Sequence, residues 1–125
     1  MILIDSEVII WILRGRSDIR EKMENFLGDI KQKLFITPIQ ISEIYAGLKD
    51  HERVETSLFL DSFPCLDIND YTGRLAGEYL SRYKKSHGLT LADAMVAACS
   101  KIYNLQLWTL NRKHYPMLSK DDFIV

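Results

Sequence analysis

The chain has 125 residues, enough for one hydrophobic core and too few for two domains, so it reads as a single domain over 1–125. Hydrophobic residues at 47% and charged residues at 26% exclude a disordered chain. A formal net charge of −1 excludes a global cationic field, so any contact with nucleic acid has to be local.

Met1 to Ile4 reads as a short buried strand ending at Asp5, and Val8 to Leu13 as a short buried helix closing near Gly15. That apolar run falls far short of the ~20 residues a bilayer requires. Asp5 and Glu7 also interrupt the start where a signal peptide needs a basic end and an apolar core, so no membrane or export role is expected. Ser17 and Asp18 are candidate N-caps for a second helix, with a stripe of Ile19, Met23, Phe26, Leu27 and Ile30. Leu34 to Ile36 reads as the second strand. Thr37-Pro38-Ile39-Gln40 then forms a capping box with proline at the first helical position, opening a helix expected to bury Ile41, Ile44, Tyr45 and Leu48. A polar stretch from Lys49 to Glu55 leads into a weaker helix through Leu58 and Leu60, stopped by Pro64.

Cys65 to Ile68 reads as a third strand. Asn69 caps a long helix with the stripe Thr72, Leu75, Ala76, Tyr79, Leu80 and Tyr83, and Gly88 ends it. Thr90 to Tyr103 is a helix apolar almost all round. Leu105 to Thr109 is a fourth strand, and Phe123 to Val125 a short fifth. Cys65 and Cys99 both sit in apolar runs and are expected to be buried free thiols, which suits a reducing, cytoplasmic setting. Strands alternating with helices indicate an α/β fold with a mainly parallel sheet of four or five strands, and such sheets place their chemistry at the carboxyl ends of the strands.

Four side chains fall at such positions. Asp5 follows the first strand directly; its alternative role is to cap the helix that follows. Glu43 lies in the helix after strand two, where an ordinary exposed glutamate is the alternative. Asp93 lies within the apolar run Leu91-Ala92-Asp93-Ala94-Met95-Val96, where a buried unpaired carboxylate costs several kcal/mol; its alternative is a capping box with Thr90. Asn111 follows strand four, with a turn or cap as its alternative. Three carboxylates and one amide converging on one sheet edge need a counter-charge, and an all-oxygen set points to Mg²⁺ or Mn²⁺. Such an ion activates water for attack on a phosphodiester.

These segments resemble the PIN-domain ribonucleases, and within them the VapC toxins. Leu3-Ile4-Asp5-Ser6-Glu7-Val8-Ile9-Ile10 is similar to the family's first motif. Ser42-Glu43-Ile44-Tyr45-Ala46-Gly47 is similar to the second, Leu91-Ala92-Asp93-Ala94-Met95-Val96-Ala97-Ala98 to the third, and Trp108-Thr109-Leu110-Asn111 with Lys113-His114-Tyr115 to the fourth. The resemblance implies an α/β/α sandwich, often dimeric, that cuts RNA with Mg²⁺ or Mn²⁺ held by Asp5, Glu43 and Asp93. It implies supporting roles for Ser6 and Thr109, and a VapB-like antitoxin as partner. Glu7 stands where a small polar residue or an aspartate is common, and Asn111 where many relatives carry an aspartate.

Arg14, Arg112 and Lys113, with Arg16 and Lys101, lie near the motif ends and are candidates to hold RNA phosphates. Tyr115 and Trp108 are candidates to stack bases, with core packing as the alternative for Trp108. Two other readings compete: a degenerate module that only binds RNA or protein, and a phospho-receiver or phosphatase-like domain. The first has no use for an intact acidic triad. The second calls for an adjacent acidic pair after strand one and a lysine at the end of a late strand, and the sequence has neither.

Overall fold

Ile2, Leu3 and Ile4 are all fully buried, which only a central strand covered on both faces achieves. In a computed structural model describing residues 1–124, they form β1 (Ile2–Ile4), paired in parallel with β2 (Leu34–Phe35) on one side and β3 (Gln106–Trp108) on the other. The strand order is β2-β1-β3. Among the described residues six α-helices surround the sheet: α1 (Ser6–Leu13), α2 (Ser17–Leu27), α3 (Pro38–Ala46), α4 (Arg53–Asp61), α5 (Asp70–His87) and α6 (Leu91–Ile102).

The period of two along β1 sorts the layers. Ile2 and Ile4 face Val8, Ile9 and Ile12 of α1, Met23 of α2, Ile44 of α3 and Leu60 of α4. Leu3 faces the other way, onto Val96, Ala97 and Cys99 of α6 with Leu107, Tyr115 and Phe123. Helix α5 covers α6 from outside through Ala76, Ala94 and Ala98. Alanines let α6 approach closely, and each fully buried aliphatic side chain in these layers contributes about 1.5–3 kcal/mol. The result is the expected α/β/α arrangement.

The sheet is narrower than expected. The segment from Cys65 forms a single parallel bridge to Ile36, and Phe123 a single parallel bridge to Leu107. The Ile36 N–H donates to Pro64 O and the Leu66 N–H to Ile36 O, after which the chain turns toward the cap of α5. Pro64 has no N–H to extend this ladder. Val125, at the end of the expected fifth strand, lies outside the described residues.

Helix boundaries follow their caps, with three corrections. Arg16, rather than Ser17 or Asp18, is the N-cap of α2; the Asp18 carboxylate is taken by the Arg16 guanidinium at 2.7 Å. Helix α2 stops at Leu27 before Gly28, so Ile30 falls beyond it and is 98% exposed. Tyr45, expected in the core, lies on the outer face of α3. Helix α4 ends at Asp61, and buried Phe63 fills the turn before Pro64. Cys65 is exposed, contrary to expectation, because its segment is a sheet rim; Cys99 is buried, and burial pushes its thiol up to about 11. Asn69 and Gly88 (φ +64°) cap α5 as expected.

Candidate active site

The carboxyl end of β1 is fixed from both sides. The Asp5 N–H donates to Trp108 O of β3 at 2.9 Å. The Gln40 side chain, fully buried in α3, donates its Nε2–H to Ile4 O at 2.9 Å. Gln40 also closes the expected capping box: its Oε1 accepts the Thr37 N–H at 3.0 Å and the Thr37 hydroxyl. One side chain therefore caps α3 and pins that helix to the strand that carries Asp5. The sequence reading found the capping role and missed the second one.

Asp5 is buried and does cap α1, its Oδ1 accepting the Ser6 N–H at 2.8 Å. Its Oδ2 accepts two hydroxyls, Thr109 Oγ1 and Tyr115 Oη, each at 2.8 Å. Capping and a place in the site are thus compatible. Ser6, also buried, donates its hydroxyl to Glu43 Oε1 at 3.0 Å, which links the first acid to the second. Asp93 sits in the first turn of α6 with its side chain 21% exposed. Thr90 Oγ1 accepts the Asp93 N–H at 3.1 Å, so Thr90 caps the helix, while the Asp93 carboxylate meets Tyr115 Oη at 3.4 Å and His114 Nδ1 at 3.9 Å.

The three acids feel one another. Burial raises the Glu43 carboxyl above its ordinary value, with Asp5 and Asp93 adding to the rise and the Ser6 hydroxyl opposing it. Burial likewise raises Asp93, with Asp5 adding and His114, Thr90 and Tyr115 opposing. Burial first, then the charges of Asp5 and Asp93, drive the Tyr115 phenol far upward, so it stays a protonated donor. Among the described residues no three His, Cys, Asp or Glu side chains form a ready-made metal cage. The donor set nevertheless suits a hard divalent cation: the carboxylate oxygens of Asp5, Glu43 and Asp93, tied together by Ser6 and Tyr115, with burial opposing ionisation of the last two acids.

The remaining candidates are spread around this centre. The Asn111 N–H donates to Thr109 Oγ1 at 3.1 Å, and its Nδ2 lies 3.0 Å from His114 Nε2. Arg14 lines a cleft with Glu43, Ile10, Leu13, Leu48 and Lys49, and its guanidinium lies 5.7 Å from the Trp11 ring. Arg112 lies 4.9 Å over the Phe123 ring, and Lys113 is exposed beside it. Arg16 is paired with Asp18, and Lys101 with Asp122 at 2.7 Å, which removes both as free cations. Trp108 packs in the core against Phe26. Tyr115 is 1% exposed and stacks on no base; its hydroxyl belongs to the acidic centre. No sequence signal marks Tyr115 or His114 for these contacts beyond their place in the segment similar to the fourth motif.

Comparison with known proteins places this geometry in context. A family model described as PIN domain matches residues 2–117. Ribonuclease VapC10 of Mycobacterium tuberculosis is 35% identical over 121 residues, covering 96% of this chain and 90% of that protein. A toxin–antitoxin complex from Klebsiella pneumoniae contains a chain that superposes with a TM-score of 0.80 at 21% identity, covering 100% of this chain and 97% of that one. VapBC2 from Rickettsia felis, bound to a promoter DNA fragment, gives 0.77 at 18% identity, covering 99% and 96%. At these identities the two structures speak for the fold.

Proposed function

The chain belongs to the PIN-domain family, and from that premise we propose that it is an endoribonuclease dependent on Mg²⁺ or Mn²⁺, the toxin of a toxin–antitoxin pair, with residues 1–125 as its single domain. The observation that carries this reading is the linkage of Asp5, Glu43 and Asp93 at the carboxyl end of the central strand, through Ser6, whose N–H meets Asp5 and whose hydroxyl meets Glu43, and through the Tyr115 hydroxyl. Its relatives' names and the complexes in which its fold recurs support an RNA substrate and a VapB-like antitoxin. We take the working form to be a cytoplasmic homodimer; among the described residues no helix is long and apolar enough to cross a membrane.

Asp5, Glu43 and Asp93 would hold the ion, which when bound polarises the phosphate and activates water for in-line attack. The chain's own residues prepare for this. Ser6, Thr109 and Tyr115 fix Asp5 as an acceptor, so its charge is oriented before substrate arrives. Burial raises the Glu43 and Asp93 carboxyls above their ordinary values, a cost to their ionised forms that a bound cation would offset. Arg14, beside Glu43, and Arg112 with Lys113 hold the flanking RNA phosphates. Asn111 acts at one remove, orienting His114 toward Asp93.

Purified protein is expected to cut RNA with Mg²⁺ or Mn²⁺ and to stop in EDTA. Asp5→Ala, Glu43→Ala and Asp93→Ala are each expected to lose more activity than the roughly 10–100-fold typical of an outer-shell change, while staying folded. Undiminished cleavage in EDTA would overturn the reading. So would an Asp93→Ala variant that unfolds while the other two remain active.

A further inference from the structure

Tyr115 is the least expected member of the acidic centre. Its ring is locked in the core with Leu3, Val96, Leu107 and Phe123, its N–H donates to Arg112 O at 3.0 Å, and the Leu118 N–H donates to its carbonyl at 3.1 Å. Backbone and ring are both fixed, so the hydroxyl is aimed rather than free to search. A phenol in this place differs from a phenylalanine only by that oxygen. An uncompensated hydroxyl against carboxylates would be costly to bury, so the oxygen is there for what it bonds.

A donor count on Asp5 shows what that is. A carboxylate oxygen accepts two hydrogen bonds readily. Oδ2 receives two, from Thr109 Oγ1 and Tyr115 Oη, both at 2.8 Å, and Oδ1 receives one, from the Ser6 N–H. The open acceptor position is therefore on Oδ1. The Tyr115 oxygen also lies 3.4 Å from Asp93 Oδ1, a longer contact than the 2.8 Å to Asp5, so the single phenolic proton goes to Asp5 and Asp93 is its looser neighbour. The hydroxyl thus joins acids that lie 88 residues apart in the chain through one rigid ring.

We propose that Tyr115 is a positioning residue of the metal centre: with Thr109 it fills Oδ2 of Asp5, so that Asp5 offers a divalent cation Oδ1 alone, and it ties Asp93 to the same frame. This rests on the metal-dependent reading above and adds to it a named residue and the ligand atom it selects. The role is exerted through Asp5 and Asp93, since Tyr115 itself is buried.

The test is Mn²⁺ binding to the metal-free protein, measured by calorimetry, for the parent, Tyr115→Phe and Thr109→Val. Loss of an outer-shell donor is expected to weaken Mn²⁺ binding by roughly 10–100-fold in Tyr115→Phe. Turnover of that variant is expected to recover as Mn²⁺ is raised to saturation, whereas a purely structural defect lowers turnover at every concentration. Thr109→Val removes the other donor to Oδ2 and is expected to weaken binding too; it decides the matter if Tyr115→Phe does not fold. Parent-like Mn²⁺ affinity in the variants that fold overturns the inference while leaving the ribonuclease reading intact. A parent that binds no Mn²⁺ overturns both.

Discussion

Asp93 and Glu43 carry a stability cost that pH should reveal. Both have folded-state values raised above the ordinary carboxylate range, so the folded chain holds their protons more tightly than the unfolded chain does. The stabilisation this gives is fully present below the ordinary values and is lost as pH rises through the raised ones. Metal-free protein is therefore expected to melt at progressively lower temperature across that window. Asp93→Asn should flatten the dependence and melt higher than the parent at neutral pH, and Mg²⁺ should stabilise the parent more than the variant. Thermal midpoints against pH, in EDTA and in Mg²⁺, check this; a parent and variant with parallel profiles would remove Asp93 from the coupled set. Asn111→Ala should shift half-activation by Mg²⁺ less than loss of any triad acid does, because the amide's hydrogen bond is to His114. A midpoint shift as large as a triad variant's would place Asn111 on the ion. At this scale the acids were legible because each falls at a strand end or in an early helical turn, where chain pattern alone fixes location. Tyr115 was not, since a coil segment has no periodicity to say which side chain turns inward.

Elements were legible where a cap or a stripe announced them and blurred where edges took over. The Thr37–Gln40 box and the Asn69 and Gly88 caps fall where the residues place them. The outer segments at Cys65 and Phe123 are extended but make one bridge each, because strand length depends on partners and on Pro64 rather than on the apolar run itself. Tyr45 and Leu27 fit helical stripes and still lie exposed, since a stripe identifies a face without saying what covers it. The junction of α3 with β1 carries the element-scale prediction. Thr37→Ala removes a cap and should cost about 1 kcal/mol. Gln40→Ala should cost more, since it also takes a donor from the buried Ile4 carbonyl, itself a penalty of about 1–3 kcal/mol. Urea unfolding midpoints rank the two. Equal costs would show that the Gln40–Ile4 bond contributes nothing.

The whole molecule is nearly neutral, with 16 basic and 17 acidic residues. Two of the five candidate cations are neutralised by Asp18 and Asp122, leaving Arg14, Arg112 and Lys113. Three phosphate contacts on a single strand give a log–log salt slope of about −2 for RNA binding by one protomer. Fluorescence anisotropy across a salt series measures it. A slope several times steeper would mean that two protomers pool their basic edges on one RNA.

The site is also stitched across the length of the chain. Thr109 and Tyr115 reach Asp5 over 104 and 110 residues. During synthesis the first acid therefore leaves the ribosome long before the hydroxyls that orient it, and a nascent chain that has not yet passed Tyr115 lacks an assembled centre. On this account the centre assembles only once translation has passed Tyr115, so a chain that is stalled or degraded before that point is an inert fragment.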